Sequence, residues 1–325
     1  MFSRREVLRW SSLAATLPIM STPAFSQAWP AKDIHLICLF APGTSPDTLT
    51  RVLAKSLQEV SKQNVIVENK VGAFGNIASE YVARSKPDGY TIYIAPGGSA
   101  LAAAPHLFKK LSFDPLNDFE HVTTLATLPF VLLVAGAGPF KNVADLVAHL
   151  KERGDKASYG SVANSFLLSS ELFKQQFNLP TVEVKYKEPF TMMQDVVAGN
   201  LAFTHLDWLT ASGYLKDGRV RAIATTTKER SKALPDIPSA GESGIANTDV
   251  SGLWSVHVAK GTPKPVVDQL ETWFNGIVAT AEYKKLMDQF GWDALPGNSQ
   301  MLRERLILEN QRWAEYVKIA KIEAQ

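Results

Sequence analysis

Short apolar runs alternate along this chain with longer segments in which apolar residues recur every three or four positions. The run from Leu36 to Phe40 predicts a buried strand, and the spacing of apolar residues from Leu49 to Val60 predicts a helix after it. Between them, Ser45 stands where an N-cap belongs and Pro46 at the first helical position. We therefore expect a strand that passes through a turn of small residues into a helix.

The same strand-to-helix unit recurs through most of the chain. Glycine-rich turns follow the first three predicted strands, around Gly43, Gly72 and Gly97. In a parallel sheet such turns lie together beyond the carboxyl ends of the strands, which is the usual place for a ligand. We therefore expect an α/β fold with a binding edge. Further strands are predicted at 64–68, 90–94, 156–160, 182–186, 203–208, 220–225 and 253–259.

The turn before the first predicted helix has the outline of an anion site. A helix N-terminus presents main-chain N–H groups without partners and the positive end of the helix dipole. This turn lacks the G-x-G-x-x-G spacing of a dinucleotide fold and the Gly-Lys-Ser/Thr of a phosphate loop, so phosphate is not the expected anion. A capped connection that binds nothing is the alternative for this stretch.

The first 27 residues have the pattern of an export signal. The paired Arg4 and Arg5 precede a short apolar segment from Trp10 to Met20, and small residues follow at alternate positions between Ala24 and Ala28. The order Ser-Arg-Arg-x-Val-Leu-Arg is typical of the twin-arginine type. We expect cleavage near residues 26–28 and a periplasmic product, with an uncleaved amphipathic anchor as the alternative.

Setting this leader aside removes the excess of positive charge. The chain has 34 basic and 32 acidic residues, of which the leader holds 3 and 1, so 31 of each remain. This balance gives no indication of binding to nucleic acid or to a membrane surface. The remaining 298 residues (325 minus 27) suffice for two lobes. Cys38 is the only cysteine, which excludes an intramolecular disulfide, and its apolar strand predicts a buried, inert thiol.

A set of short motifs follows in order over essentially the whole chain after the leader. The motifs are Trp29-Pro30-Ala31-Lys32, Phe40-Ala41-Pro42-Gly43 with Asp47 and Arg51, Val67 to Gly75, Lys86 to Thr91, Tyr159-Gly160-Ser161, Tyr186-Lys187, Asp217 to Ala222 and Leu234 to Ser239. Together they resemble the Bug-type receptors, the periplasmic substrate-binding proteins of tripartite tricarboxylate transporters. Each motif is weak alone, and the ordered set is specific.

This resemblance implies a two-lobed α/β flytrap fold, each lobe a mostly parallel sheet flanked by helices. We expect residues 28–130 and 255–325 to form lobe 1 and residues 131–254 to form lobe 2. The family closes over a carboxylate held by main-chain N–H groups of two opposed loops, which here are Gly43 to Asp47 and Ser161 to Ser165. The resemblance further implies a monomer that works with membrane permease subunits, without a cofactor, a metal or nucleic acid.

The candidate ligand-binding residues come from the predicted strand ends and the loops that follow them. They are Pro42, Gly43, Thr44, Ser45, Asp47, Phe74, Gly97, Ser99, Ser161, Asn164, Ser165, Phe190 and Asp207. No residue is expected to be catalytic.

The chain departs from the family pattern on the side expected to face the ligand. Thr44 replaces the second of two adjacent glycines, and Glu188 follows Tyr186-Lys187 where a glycine is common. Aromatic residues stand in or beside the same loops, which suggests a flat apolar slot for an aromatic or longer aliphatic carboxylate. Packing of these rings in the lobe cores is the alternative. The aromatic residues are Phe74, Phe166, Phe190 and Trp208.

Other chemistry has little support in the sequence. The six histidines are dispersed, without a metal-binding spacing, and no G-x-S-x-G elbow is present. Ser161 or Ser165 with His205 and Asp207 is the one conceivable hydrolase set, and His205 and Asp207 are better explained as polar lining at a strand end. The expected function is a receptor for a dicarboxylate or aromatic carboxylate. A ligand sensor for a two-component kinase and an exported hydrolase are the alternatives.

If the leader is of the twin-arginine type, replacing Arg4 and Arg5 together by lysine blocks export, because this pathway reads the paired guanidinium groups. Fractionation of cells that express each form is expected to show the wild-type chain in the periplasm and the double variant in the cytoplasm. Normal secretion of the double variant contradicts this assignment.

Overall fold

The computed structural model describes residues 29–246, 250–319 and 322–324. The predicted export signal and its cleavage site at residues 26–28 lie outside these residues. No helix among the described residues is long and apolar enough to cross a membrane.

Strands and helices alternate through the first two thirds of the chain, and helices dominate the last third. The strands are β1 Ile34–Cys38, β2 Val65–Asn69, β3 Thr91–Pro96, β4 Phe119–Ala135, β5 Ser158–Ser161, β6 Val182–Lys185, β7 Phe203–Asp207, β8 Val220–Thr225, β9 Ser251–Ala259 and β10 Asp293–Ala294. The helices are α1 Ser45–Ser61, α2 Asn76–Ala83, α3 Ala104–Leu107, α4 Val143–Arg153, α5 Asn164–Phe177, α6 Pro189–Ala198, α7 Trp208–Lys216, α8 Lys264–Ala279, α9 Ala281–Phe290 and α10 Ser299–Ile319.

The strands join into one sheet with the order β2-β1-β3-β9-β4-β7-β5-β6, and β8 and β10 also pair with β4. Parallel pairing occurs at both ends, between β1 and its neighbours β2 and β3 and between β5 and its neighbours β6 and β7. In the middle, β9 and β4 pair antiparallel with each other and with their other neighbours. The predicted α/β class is confirmed.

Strand β4 belongs to both halves of the sheet. It is 17 residues long, and its first part, from Phe119 to Pro129, pairs with β9. Its second part pairs with β7 from Phe130 and with β8 from Val131 onward. The lobe boundary expected between residues 130 and 131 therefore falls within one continuous strand.

Each half of the sheet has its own apolar core. Helices α1, α8, α9 and α10 contribute to a large core over β1, β3 and β9, which includes Leu53, Phe274 and Leu306. Helices α4 and α5 pack on the other half around Tyr159 and Phe203. Cys38 is fully buried and free, as expected for an inert thiol, and burial raises its pKa.

Three buried histidines lie within or between the strands. His121 of β4 faces His257 of β9, and their Nδ1 atoms are 2.9 Å apart. His257 Nε2 lies 2.7 Å from Ser255 Oγ. His205 of β7 is fully enclosed, and its Nδ1 lies 2.9 Å from Ser170 Oγ. His205 was expected to line a binding site and instead lies in the core. It stands two residues before the end of β7, where it is covered by α5 and packs against Phe173 and Phe203.

Burial keeps these histidines neutral in the folded chain. Desolvation lowers the pKa of His121 to about 4 and that of His205 to about 3, and it lowers the pKa of His257 well below its ordinary value. In the unfolded chain a histidine takes up a proton near pH 6.5. The unfolded chain therefore binds protons that the folded chain does not bind. For this reason the free energy of unfolding decreases as the pH falls from about 6.5 towards the pKa values of the folded histidines.

Changing the pH from 7 to 5 is expected to lower the free energy of unfolding by about 2 kcal/mol for each such histidine. His205→Gln keeps a side chain that can bond to Ser170 and removes the titrating group, so it should remove about one such contribution. Urea unfolding at pH 7 and pH 5 measures the difference. His149→Gln, at a half-buried histidine on α4, controls for loss of an imidazole. An unchanged pH dependence in His205→Gln contradicts the assignment.

Candidate functional site

Helix α1 begins one residue earlier than its sequence pattern indicates. Thr44 is the N-cap: its Oγ1 accepts the Asp47 N–H at 3.4 Å, and its carbonyl accepts the Thr48 N–H at 2.9 Å. Ser45, predicted as the cap, is already the first helical residue. The cap moves because the Thr44 hydroxyl also donates to the Ala41 carbonyl at 2.8 Å, which fixes the extended conformation at Thr44.

The side chain of Asp47 stabilises the turn before α1 through hydrogen bonds. Its buried carboxylate accepts hydrogen bonds from the Gly43 N–H and Arg51 Nε, each at 2.9 Å, and from Asn69 Nδ2 at 2.8 Å. Burial alone raises the pKa of this carboxyl, and the bonds from Arg51, Asn69 and Gly43 outweigh it and lower the pKa to about 2. The Gly43 amide is thus used within the loop. Gly43 has φ +82°, which a side chain would strain.

Helix α5 begins without a side-chain cap. Its N-cap residue is Ala163, whose carbonyl accepts the N–H groups of Phe166 and Leu167 at 3.1 and 3.0 Å. Within the described chain, the N–H groups of Asn164 and Ser165 have no hydrogen-bond acceptor, and the same holds for the Ser45 N–H at the start of α1. These amides are free to bind an anion, and the helix dipoles favour one.

Two further turns complete the set of strand ends. Asp207 caps α7 by accepting the Thr210 N–H at 2.9 Å. After β3 the chain makes a π-helical turn, Gly97–Ala102. A Cβ at Gly97 would lie 2.5 Å from Ser255 Oγ, so only glycine lets this turn pack against β9.

These helix starts surround one cavity of about 610 Å³ that is lined from both halves of the sheet. Six of the thirteen predicted site residues line it: Gly43, Thr44, Ser45, Ser99, Ser165 and Asp207. The volume lies within the range of small-molecule sites.

The other seven predicted residues are not part of this lining. Asp47 supports the turn from below, and Ser161 is buried, with its hydroxyl donating to Glu183 at 2.5 Å. Phe74 and Phe190 are each 66% exposed. Pro42, Gly97 and Asn164 adjoin lining residues without being among them.

Seven of the residues that line the cavity are aromatic, and the sequence pattern indicated this set, called here the aromatic wall, only in part. Trp254 and Trp292 stack with centroids 5.8 Å apart and planes 15° apart, and Phe40 packs 5.9 Å from Trp254. Phe166 was among the predicted aromatic residues, whereas Trp208 packs against Gly291 outside the lining. The aromatic wall consists of Phe40, Phe130, Phe166, Trp254, Trp292, Trp313 and Tyr316.

The charged side chains in the cavity lining are acidic. They are Asp207, which caps α7, and Glu309 of α10, and no lysine, arginine or histidine is among the described lining residues. Glu309 lies 3.9 Å from both Arg305 and Arg312. An anion in this cavity therefore relies on main-chain amides and hydroxyl groups.

The conceivable hydrolase set does not come together. His205 is bonded to Ser170 in the core, and it makes no hydrogen bond to Ser161, Ser165 or Asp207 in the described structure. The described residues also contain no group of three or more side chains placed to hold a metal.

A larger, more open groove of about 910 Å³ lies beside α2, away from the helix starts. Its lining includes Lys32, Asp88, Glu80 and Arg84, which pair with one another at 3.0 and 2.8 Å. Because these charges are matched at an open surface, we place the candidate site in the smaller cavity.

Known proteins resemble this chain over nearly its whole length. A UPF0065 protein of Bordetella bronchiseptica is 31% identical over 303 residues, which cover 91% of this chain and 89% of that protein. The solved structure of R. palustris Rpa4515 with adipate is 29% identical to this chain with a TM-score of 0.79, and the match covers 91% of this chain and 100% of that one. The periplasmic binding protein BugD is 29% identical with a TM-score of 0.75 and the same coverage.

These neighbours have a two-lobed fold, so the two halves of the sheet described above are the two lobes. The family is one of periplasmic solute-binding receptors, which are not enzymes. The family model matches residues 49–322, and the chain belongs to the family described as tripartite tricarboxylate transporter family receptor.

Proposed function

We propose that this protein is a periplasmic receptor that binds a small carboxylate and delivers it, as a monomer, to the membrane permease subunits of a tripartite tricarboxylate-type transporter. The observation that carries the proposal is the cavity between the lobes, where α1 and α5 present N–H groups without protein partners. A neighbour that is 29% identical to this chain has been solved with adipate, a small carboxylate, and this supports the proposal.

Main-chain amides suffice to hold such a ligand. Micromolar affinity corresponds to about 8 kcal/mol, and a hydrogen bond to a charged group contributes about 1.5 to 3 kcal/mol. Four or five contacts from the N–H groups of Ser45 and Ser165 and from the hydroxyl groups of Ser45, Ser99 and Ser165, all of them lining residues, reach that value after the cost of association. No buried arginine is required.

Binding is coupled to closure of the lobes. A ligand held at Ser45 on one side and Ser165 on the other makes all its contacts only when the two helix starts approach each other, so it favours the closed state. We place lobe 1 at residues 28–130 and 255–325 and lobe 2 at 131–254, so that β4 crosses between them.

Purified protein is expected to bind at least one small carboxylate with a one-to-one stoichiometry and micromolar affinity, because the cavity offers a single set of free helix-start amides. Calorimetry with citrate, succinate, adipate, benzoate and terephthalate measures this, and the matching amides of these acids are the controls. Equal binding of an acid and its amide contradicts anion recognition. Loss of uptake of the bound acid in a deletion strain tests the transport role against a sensing role.

Asp47→Ala is expected to weaken carboxylate binding about tenfold or more, because it releases Gly43, Arg51 and Asn69 and lets the turn before α1 move. The matched control is Asp145→Ala on α4, which removes the same kind of bond, from the Lys141 N–H at 2.9 Å, away from the cavity. Titration calorimetry at pH 7 compares the two, and thermal unfolding reports whether each is folded. Equal affinities in both variants contradict a role for the turn.

A further inference from the structure

We infer that the cavity selects an acid with one carboxylate and a flat apolar body that lies against the aromatic wall. This inference rests on the proposed function, since it names the class of carboxylate that the same cavity takes. It departs from the adipate bound by the neighbour described above, which is a linear acid with two carboxylates.

The first argument is the charge of the lining. Helix starts supply N–H donors for one carboxylate, and no cationic side chain among the described lining residues is placed for a second. The charged side chains that do line the cavity, Asp207 and Glu309, are both acidic and offer no counter-charge to a ligand carboxylate. A second carboxylate taken from water into this cavity would lie unpaired, which is strongly unfavourable.

Two arginines lie near Glu309 without being among the described lining residues. Arg305 Nη2 donates to Ser251 Oγ at 3.3 Å, whereas its Nε is buried, lies 3.9 Å from Glu309 and has no hydrogen-bond partner in the described chain. Arg312 lies 3.9 Å from the same carboxylate. Both guanidinium groups have Glu309 as an ionic neighbour, and neither contributes to the cavity lining where a second ligand carboxylate would lie.

The second argument is the shape and chemistry of the aromatic wall. Trp254 and Trp292 are each 3% exposed and stack with nearly parallel planes. Phe130 and Phe166 meet edge to face at 4.9 Å on another part of the lining. The two tryptophan rings present only a narrow surface to the cavity, and the partly buried Phe40, Phe166 and Tyr316 present more. Aromatic rings offer apolar contact at little cost in side-chain entropy, and a flat ring of the ligand can pack against them edge to face or offset-stacked.

The lining combines these two features. Free N–H groups lie at the starts of α1 and α5, and aromatic side chains come from several elements, among them β9, the segment after α9, and α10. A ligand with a single charge and an apolar body satisfies both. A flat ring that bears a single carboxylate meets this requirement, whereas a linear diacid leaves its second charge against the aromatic wall.

The test compares affinities for benzoate, hexanoate, adipate and citrate, measured by calorimetry on the wild-type protein. Benzoate is expected to bind at least tenfold more tightly than adipate or citrate, and more tightly than hexanoate, which has the same charge and a flexible body. Tighter binding of adipate or citrate overturns this inference and leaves the receptor function intact. Failure of every carboxylate to bind overturns both.

Variants locate the preference in the aromatic wall. Trp254→Leu and Phe166→Leu are expected to reduce the preference for benzoate over hexanoate at least fivefold. The matched control is Trp273→Leu, because Trp273 also belongs to a stacked tryptophan pair, 5.4 Å from Trp29, outside the cavity lining. Circular dichroism checks that each variant folds, and Phe166 is less buried than Trp254 in case the latter variant does not. An unchanged benzoate-to-hexanoate ratio in folded variants overturns the inference.

Discussion

The unpaired main-chain amides at the starts of helices α1 and α5 are the constraint on which the site depends. A folded chain normally finds partners for such groups, either through a side-chain cap or through water. Here Thr44 and Asp47 accept hydrogen bonds from N–H groups of the turn and first helical residues of α1, but the Ser45 N–H has no acceptor. Helix α5 has no side-chain cap, because its N-cap residue is Ala163. An organic anion supplies the acceptors that these N–H groups lack within the protein.

The positions of these helix starts follow from the sheet. Parallel strands β1 and β5 each deliver a helix start at their carboxyl ends, and the antiparallel pair β4 and β9 joins the two sets. The pair also carries the buried contact between His121 and His257, so the crossing strands are fixed by polar as well as apolar contacts. Shape and charge in the cavity therefore depend on residues that never touch a ligand, such as Asp47, Asn69 and Ser255.

Sequence reasoning found the elements whose signals are local. The strand, turn and helix around Gly43 were predictable because apolar spacing and capping residues lie within twenty positions of one another, and only the cap itself was displaced, from Ser45 to Thr44. The aromatic wall was largely missed because its members, such as Trp254 and Trp292, come from distant elements and look like ordinary core residues. The one available signal for this set was the alternation of side chains along β9, which places Gly252 and Trp254 on the same face of the sheet. The sequence does not show which of the two faces meets a cavity.

The continuity of β4 also limits how such a receptor can diversify. The pairing of β4 is already irregular between His121 and Thr123 and between Thr124 and Ala126 against β9, and between Leu132 and Leu133 against β8. A further inserted or deleted residue either forms another bulge or turns the side chains beyond that point away from the core in which they pack. Length changes are accommodated more readily in the turns. New specificities in a chain of this design must arise by exchanging side chains at the helix starts and along the aromatic wall, while the connection between the lobes stays as it is.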